Sequence, residues 1–439
     1  MSHAIVMGGS IAGLCAAAAL ARNFQRVTVL ERDPDQGTNP RKGTPQAQHA
    51  HALLCRGQQI MNQLFPGAFE ALALADVRHR DLGSALRWFQ HGAWKMTPHV
   101  GKDVWFASRS LLEAQLRRTL EENPRVELCF GKAVDEPLHE GGRVRGLRLR
   151  DGSVLEADLV VDATGRGSRS TTWLNEWGYG KVPEQQVHIG LKYVSGTFET
   201  TSPVDQAIGV YQHAPHSRRT GLITPIEGNR VIVTLWGYHD EPAPTELQGF
   251  CEWSRTLLRP DVGNFLSDPS TRLVGKLRQF NFPTQIRRCY GLMPRLPGGY
   301  LVVGDALTNF DPTFAQGMSI VAMQAERLLR LHPGQSTQRM QRALSRLTLA
   351  PFALTACEVH RWPETAGWEA PGSRFLRLYL NKVYDAGAHS SLVQTRFLQV
   401  IHFLRSPLTL LSPRVVWTAL FDQRRPPILA AQPASPASD

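Results

Sequence analysis

The first stretch whose residue types suggest chemistry is a glycine-rich turn near the N-terminus. Gly8-Gly9-Ser10-Ile11-Ala12-Gly13 follows a short apolar run at residues 4–7 and precedes an Ala- and Leu-rich segment at residues 14–22. Glycines in this setting let the backbone approach a diphosphate, whose charge the start of a helix stabilises. A second β-rich run ends at Glu31, 18 positions after Gly13, and its carboxylate can accept hydrogen bonds from a ribose hydroxyl. Although Ser10 replaces the usual middle glycine, the strand–helix–strand–acid order predicts a dinucleotide site.

Two later segments repeat the arrangement of strand, glycine and acid. In residues 158–170 an apolar run ends in Asp162-Ala163-Thr164-Gly165, and a basic loop of small residues follows. In residues 301–325 a strand-like run ends in Gly304-Asp305, and we expect a helix to begin near Gln316-Gly317-Met318. Ligands of open α/β folds bind at the carboxyl ends of parallel strands. We therefore expect both acids to lie at the same site as the glycine turn.

The presence of three segments favours FAD over a nicotinamide dinucleotide, which needs only the first. Asp305 can accept a hydrogen bond from a ribityl hydroxyl. The predicted helix start near Gly317 can direct N–H groups at the flavin N1–C2=O region, where negative charge develops on reduction. The site is thus predicted from residues 5–33, 158–170 and 301–325.

Length and composition fit a globular enzyme of more than one domain. The 439 residues can bury two cores, and 42% hydrophobic with 20% charged residues is ordinary for a soluble protein. The six cysteines are scattered without a CxxC pair, which argues against a metal or disulfide framework and favours a reducing cytoplasm. His49 and His51 could line the flavin edge or be structural, but they lack a third metal ligand. No nucleic-acid motif is present.

We predict an α/β fold with an α+β insert. A Rossmann-like FAD-binding domain is expected at residues 1–83, 107–181 and 276–333, and a β-sheet substrate domain at residues 84–106 and 182–275. A helical region at 334–423 and a disordered tail at 424–439 follow. Aromatic residues of the substrate domain can line an apolar cavity: Tyr193, Phe198, Tyr211, Trp236 and Tyr238.

Basic residues are concentrated near the C-terminus. Residues 374–425 contain eight basic and two acidic residues, which is six of the net +11 charge. Basic and apolar residues alternate there, and the apolar ones recur at three- and four-residue spacing, as in helices that bury one face. We expect a helical layer packed on the core with a solvated basic face. Peripheral contact with an anionic membrane is the alternative, and it would be salt-sensitive.

The motifs resemble those of FAD-dependent monooxygenases of the aromatic-hydroxylase type. The chain is most similar to bacterial flavin epoxidases and hydroxylases of polyketide and terpenoid pathways. The resemblance covers most of residues 1–330 and, more loosely, the C-terminal helices. Besides the glycine turn, it is carried by Arg41-Lys-Gly-Thr-Pro-Gln46, Gln48-His49-Ala50-His51-Ala52-Leu53, Leu64-Phe65-Pro66-Gly67, Ser108-Arg109-Ser110-Leu111-Leu112-Glu113, residues 161–165, Thr224-Pro225-Ile226-Glu227-Gly228 and residues 304–319.

This resemblance implies FAD as cofactor and NAD(P)H as reductant, directly or through a flavin reductase. One atom of O2 would pass from a flavin C4a-hydroperoxide to a lipophilic natural-product-like substrate, by epoxidation or hydroxylation. No catalytic side chain is implied, because the hydroperoxide supplies its own electrophile. The cofactor-binding residues are expected to be Gly8, Ser10, Ile11, Ala12, Gly13, Glu31, Arg32, Arg41, Arg109, Val134, Asp305, Gly317 and Met318.

One position departs from the pattern of these monooxygenases. Ala315 stands where the third motif usually has glycine, and its methyl group is expected to narrow the approach to the flavin. Arg109 has a second interpretation, a surface ion pair with Glu113 four residues later.

Other functions remain open at this point. They are a flavin-dependent reductase or dehydrogenase of prenyl or ring C–C bonds, a flavin halogenase, and a non-catalytic FAD-fold carrier. The halogenase signature WxWxIP is absent, since Arg87-Trp88-Phe89 does not match it.

Overall fold

Nineteen strands and fourteen helices form the described chain, residues 2–38, 43–214, 216–239 and 241–422 of a computed structural model. Arg41 and the predicted tail at 424–439 lie outside these residues. The strands are β1 (His3–Met7), β2 (Arg26–Leu30), β3 (His79–Asp81), β4 (Leu86–Gln90), β5 (Ala93–Trp94), β6 (Asp103–Trp105), β7 (Val126–Cys129), β8 (Val134–Glu140), β9 (Arg143–Leu149), β10 (Val154–Glu156), β11 (Leu159–Asp162), β12 (Glu184–Glu199), β13 (Ala207–Val210), β14 (Arg219–Ile226), β15 (Arg230–Gly237), β16 (Arg272–Arg288), β17 (Tyr300–Val302), β18 (Thr308–Asn309) and β19 (Ala366–Gly367). The helices are α1 (Ile11–Leu20), α2 (Cys55–Leu64), α3 (Ala68–Leu74), α4 (Leu82–Ala85), α5 (Arg109–Glu121), α6 (Ser170–Glu176), α7 (Leu247–Ser254), α8 (Asp261–Ser267), α9 (Gly317–Leu328), α10 (Thr337–Leu347), α11 (Leu349–Val359), α12 (Ser373–Ala386), α13 (Ser391–Ile401) and α14 (Pro413–Phe421).

A five-stranded parallel sheet forms the first layer, in the order β17-β11-β1-β2-β7. The strands from all three predicted segments are neighbours in it, because β1 lies between β2 and β11, and β11 pairs with β17. Helix α1 connects β1 to β2, and nine of its ten residues are buried. Its alanines suit that position, because small side chains let the helix pack closely on the sheet and on α9. The predicted Rossmann-like fold is confirmed.

A second, largely antiparallel sheet forms the other layer, in the order β18-β16-β12-β15-β14-β13-β4-β5, with β19 beside β12. Strand β4 joins it through parallel pairing with β13 and β5 pairs with β4, whereas β6, also within the predicted segment 84–106, pairs with β3 in a separate two-stranded sheet. The predicted boundary at residues 275 and 276 is wrong, because it falls inside β16. That strand pairs with β12 along most of its length, so the sheet continues to Arg288.

The C-terminal helices pack on the rest of the protein, as predicted from their apolar spacing. Phe397 of α13 contacts Trp88 of β4 and Tyr384 of α12, with ring centroids 5.7 and 5.2 Å apart. The buried ammonium of Lys95 donates to the Tyr384 carbonyl at 2.8 Å. Burial lowers the pKa of Lys95 to about 8, with Asp385 opposing the shift. Among the described residues, no helix is long and apolar enough to cross a bilayer.

Truncating Phe397 tests whether this layer is part of the core. Phe397→Ala should lower the free energy of unfolding by about 3 kcal/mol, because it leaves a cavity between the layer and β4. Phe375→Ala is the matched control, since Phe375 lies on α12 with 78% of its surface exposed, and its effect should stay within about 0.5 kcal/mol. Urea unfolding followed by circular dichroism measures both. Equal effects would show that the layer is not packed as described.

Candidate active site

One large cavity lies at the carboxyl edge of the parallel sheet and extends under the antiparallel sheet to the C-terminal helices. Its volume is about 1820 Å³. Of the residues predicted to hold a cofactor, eleven line it: Gly8, Ser10, Ile11, Ala12, Glu31, Arg32, Arg109, Val134, Asp305, Gly317 and Met318. Gly13 lies behind the wall, in the packing of α1. The structure thus brings together all three segments that the sequence separates.

Close backbone approaches bring these segments together. A Cβ on Gly13 would lie 1.7 Å from the Gly8 carbonyl oxygen, so only glycine lets α1 start directly against the β1 turn. Gly8 has φ +101°, and a Cβ there would lie 2.7 Å from the Ala163 oxygen. Gly304, with φ +61°, would place a Cβ 2.8 Å from the Ala12 Cβ. Each of the three segments therefore contacts another segment at a glycine, where no side chain keeps the backbones apart.

The Glu31 carboxylate is held in place by backbone donors. Its Oε2 accepts from the Gly9 N–H at 2.9 Å, and its Oε1 accepts from the Asp33 N–H at 3.0 Å. The residue is buried yet lines the cavity. Each carboxylate oxygen has two lone pairs, so Glu31 can accept further hydrogen bonds from a ligand.

Arg109 lies at the cavity and also pairs with Glu113, but this ion pair is largely buried and not at the surface as the second interpretation had it. The Arg109 guanidinium donates to the Ser10 hydroxyl at 3.1 Å. It also lies 4.0 Å from the Glu113 carboxylate, which accepts from the same hydroxyl at 2.8 Å. The ion pair therefore positions Arg109 against the first turn of α1.

We expected Asp162, the acid of the second segment, to lie at the site, but it does not line the cavity. One of its oxygens accepts from the Thr164 N–H and hydroxyl at 2.9 and 2.6 Å. The other accepts from the hydroxyls of Ser168, at 2.5 Å, and Ser170. The Ser170 hydroxyl also bonds Tyr300 of the neighbouring strand at 2.6 Å. This fully buried carboxylate is used to shape the loop after β11, so its role is structural.

Asp305 lies on the cavity wall, directly after β17, as predicted. Burial raises the pKa of its carboxyl group, against the opposing charges of Arg166, Arg109 and Arg288. Arg166, which the sequence analysis did not single out, lies in the cavity with its guanidinium 4.8 Å from the centre of the Phe280 ring. The basic loop of the second segment was the signal for it. Asp305 and Arg166 bring opposite charges to one part of the wall.

Aromatic side chains line the part of the cavity beneath the antiparallel sheet. Of the five predicted, Tyr193, Tyr211, Trp236 and Tyr238 line it. Phe198 does not, because it lies on the opposite side of the sheet and stacks with Phe250 at 6.4 Å. This part of the cavity is therefore suited to an apolar, planar or chain-like ligand.

The loop before α9 is held by a second buried acid. The Asp311 carboxylate accepts from the Tyr238 hydroxyl at 2.9 Å and from the N–H and hydroxyl of Thr313 at 2.9 and 2.7 Å. Burial raises the pKa of Asp311. Ala315 follows with φ +54°, a left-handed conformation that favours glycine, and lines the cavity. Its methyl group is therefore present at the wall, as expected.

The two histidines of the 48–53 motif differ in position. His49 is buried and bonds the Ser195 hydroxyl at 2.8 Å, and burial lowers its pKa to about 4. His51 lines the cavity and donates from Nδ1 to the His49 carbonyl at 2.8 Å, and burial with nearby Arg109 lowers its pKa to about 3. His49 is thus structural, and His51 presents a neutral imidazole at pH 7. In the described part of the chain, no three His, Cys, Asp or Glu residues are placed to hold a metal.

Comparison with known proteins agrees with this architecture. The model of a family described as FAD dependent oxidoreductase matches residues 4–172. Protein Rv3254 of Mycobacterium tuberculosis is 34% identical over 352 residues, which cover 75% of this chain and 72% of that protein. FAD-dependent monooxygenase dpchE of Colletotrichum higginsianum is 29% identical over 174 residues, which cover 39% of this chain and 35% of that protein. This second match thus spans about a third of that relative's length.

Among solved structures, PqsL of Pseudomonas aeruginosa, described as a probable FAD-dependent monooxygenase, superposes with a TM-score of 0.63. The match has 16% identity and covers 82% of this chain and 95% of that one. At this identity it shows a shared fold. The family match and the mycobacterial relative together show that this chain belongs to the FAD-dependent oxidoreductases.

Proposed function

We propose that this enzyme is an FAD-dependent monooxygenase that adds one oxygen atom to a lipophilic substrate, by epoxidation or hydroxylation. The observation that carries the proposal is the continuity of the cavity. It runs from Glu31, past Asp305 and the start of α9, into the aromatic chamber formed by Tyr193 and Trp236. A cofactor in the first part would face an apolar substrate in the second. We further propose NAD(P)H as the electron source, directly or through a flavin reductase.

The residues of the cavity fit FAD. Helices α1 and α9 both begin at its wall, and neither start has a side-chain cap. Their first N–H groups are thus available to anionic or carbonyl oxygens. A Cβ on Gly317 or Gly165 would meet nothing within 4 Å, so the wall is open at both glycines. In this assignment α1 and Arg109 hold the pyrophosphate, Glu31 the ribose, Asp305 the ribityl chain and α9 the isoalloxazine.

FAD would supply the redox chemistry, by accepting electrons from the nicotinamide and activating O2. The chain's own residues position the reactants and exclude water. The cationic Arg166 and the start of α9 stabilise negative charge at the wall where the ring would lie. The apolar chamber keeps the substrate out of water, which protects a reactive oxidant from solvent. Asp305 and Glu31 would accept hydrogen bonds from the cofactor and so fix the orientation of the cofactor.

Removing the Glu31 carboxylate should weaken FAD binding. Glu31→Ala is expected to raise the dissociation constant about 5- to 150-fold, the equivalent of about 1–3 kcal/mol for a buried polar contact. Glu127→Ala is the control, since Glu127 pairs with Arg26 at the surface of the same sheet. Titration of apoprotein by flavin fluorescence measures the constants. An unchanged affinity in Glu31→Ala would count against the site.

The two acids at strand ends should respond differently to substitution. Asp305→Ala is expected to lose FAD while the apoprotein keeps its circular dichroism, because this carboxylate lies on the cavity wall. Asp162→Ala should instead lower the thermal midpoint of the apoprotein, since it leaves buried hydroxyl and N–H donors without their acceptor. If Asp305→Ala unfolds the apoprotein as well, Asp305 is structural.

Product analysis separates oxygen transfer from the other flavin reactions. The FAD-loaded enzyme would be supplied with NADPH, isotopically labelled O2 and lipophilic substrates that carry an alkene or an electron-rich ring. We expect products that contain one labelled oxygen atom, detected by mass spectrometry. Enzyme without added substrate is the control for NADPH consumption. Products that have lost two hydrogen atoms and contain no label would identify a dehydrogenase and contradict the proposal.

A further inference from the structure

Exposed apolar side chains are concentrated in the C-terminal helices. Among the described residues, eight large apolar side chains have more than half of their surface exposed, and six of these lie between residues 375 and 421. Single exposed apolar residues are common on protein surfaces, but a cluster of them marks an interaction site. We call this cluster the apolar rim: Phe375, Leu378, Leu408, Leu411, Trp417 and Phe421.

The segments that carry the apolar rim adjoin one another. The Tyr379 hydroxyl of α12 donates to the Leu410 carbonyl at 2.5 Å, which ties α12 to the 3-10 turn Pro407–Leu411. Helix α14 packs against both α12 and this turn. Trp417 and Phe421 lie one turn apart on α14, with ring centroids 4.7 Å apart. The apolar rim is therefore one surface built from three neighbouring segments.

The cavity reaches the surface at the apolar rim. Leu408 and Leu411 line the cavity, yet 73% and 57% of their surfaces are exposed. Arg405, between α13 and the 3-10 turn, also lines it and is exposed. The apolar wall of the chamber thus continues onto the outside of the protein at Leu408 and Leu411.

Positive charge accompanies the apolar rim. Residues 374–422 contain six basic and two acidic residues. Of the basic ones, Arg374, Arg405 and Arg414 are exposed and form no ion pair with any residue that the structure describes. One of the acids, Asp385, lies 3.6 Å from His91. The surface is therefore both apolar and cationic.

We propose that the apolar rim docks on an anionic lipid surface. Apolar side chains next to cations match the boundary between acyl chains and anionic headgroups. There the apolar side chains are buried among the acyl chains, and the cations pair with the headgroups. A second copy of the chain fits this surface less well, because two cationic faces repel each other. Docking would place the opening of the cavity at the lipid. A role of this docking in substrate entry rests on the proposed function. The binding of lipid itself does not depend on that function.

Vesicle binding of the full-length, FAD-loaded protein tests the proposal. Sedimentation with vesicles of equal parts phosphatidylglycerol and phosphatidylcholine should recover the protein at low salt. Vesicles of phosphatidylcholine alone, or high salt, should recover much less, since the attraction is partly electrostatic. Phe375→Ser/Trp417→Ser should lower the partition coefficient about tenfold or more. These side chains are exposed, so flavin absorbance and thermal midpoint should not change.

Leu74→Ser/Leu292→Ser is the matched control, because both leucines are exposed, 92% and 71%, but lie outside the apolar rim. It should bind vesicles like the parent protein. Equal recovery with both vesicle types, or equal loss in the two double variants, would overturn the proposal. So would vesicle binding that appears only after residues 424–439 are deleted, or a dimer in light scattering that only Phe375→Ser/Trp417→Ser abolishes. Because the readout is binding, failure of the oxygenation proposal would leave this result unaffected.

Discussion

The wall of the cavity depends on backbones that approach one another more closely than side chains permit. Gly13 lets α1 begin against the Gly8 carbonyl, Gly8 lies against Ala163, and Gly304 lies against Ala12. Two of these three contacts join segments that are far apart in the chain, and the third lets α1 follow β1 through a tight turn. A methyl group at any of these positions would clash with the residue opposite it, so the two would have to move apart and the wall would widen. The position of the acids and helix starts follows from this close packing.

Sequence patterns predicted the parts of the site that local signals specify. A strand, a glycine turn and a helix start occur in order within each segment, so Glu31, Asp305 and the start of α9 were found. Asp162 was misinterpreted, because an acid after a buried strand looks the same whether it faces a ligand or its own loop. Arg166 and the Asp311–Tyr238 contact were missed, because they depend on residues brought together only by the fold. The monooxygenase family resemblance is confirmed at the level of FAD-dependent oxidoreductases.

Alternation along the strands decides which aromatic residues reach the cavity. Trp236 and Tyr238 are two positions apart and lie on the same side of the antiparallel sheet. Tyr193 and Phe198 are separated by an odd number of positions, and they lie in different cores on opposite sides of that sheet. The sheet thus separates an apolar core, which only stabilises the domain, from a chamber open to ligands. The helical layer closes that chamber and leads to its cationic, apolar opening.

Ala315 makes the conformation of one turn of the cavity wall depend on the neighbouring layer. A left-handed alanine costs about 1–2 kcal/mol relative to the common helical conformation, so a short peptide with this sequence would adopt another shape. The turn is maintained by the Asp311 carboxylate, which is itself held by the Tyr238 hydroxyl just beyond β15. The conformation of residues 311–315 therefore depends on a contact with the antiparallel sheet as well as on the local sequence. This part of the cavity wall thus links the two layers, because β18 before it pairs with β16 of the antiparallel sheet and α9 after it packs on α1 of the parallel layer.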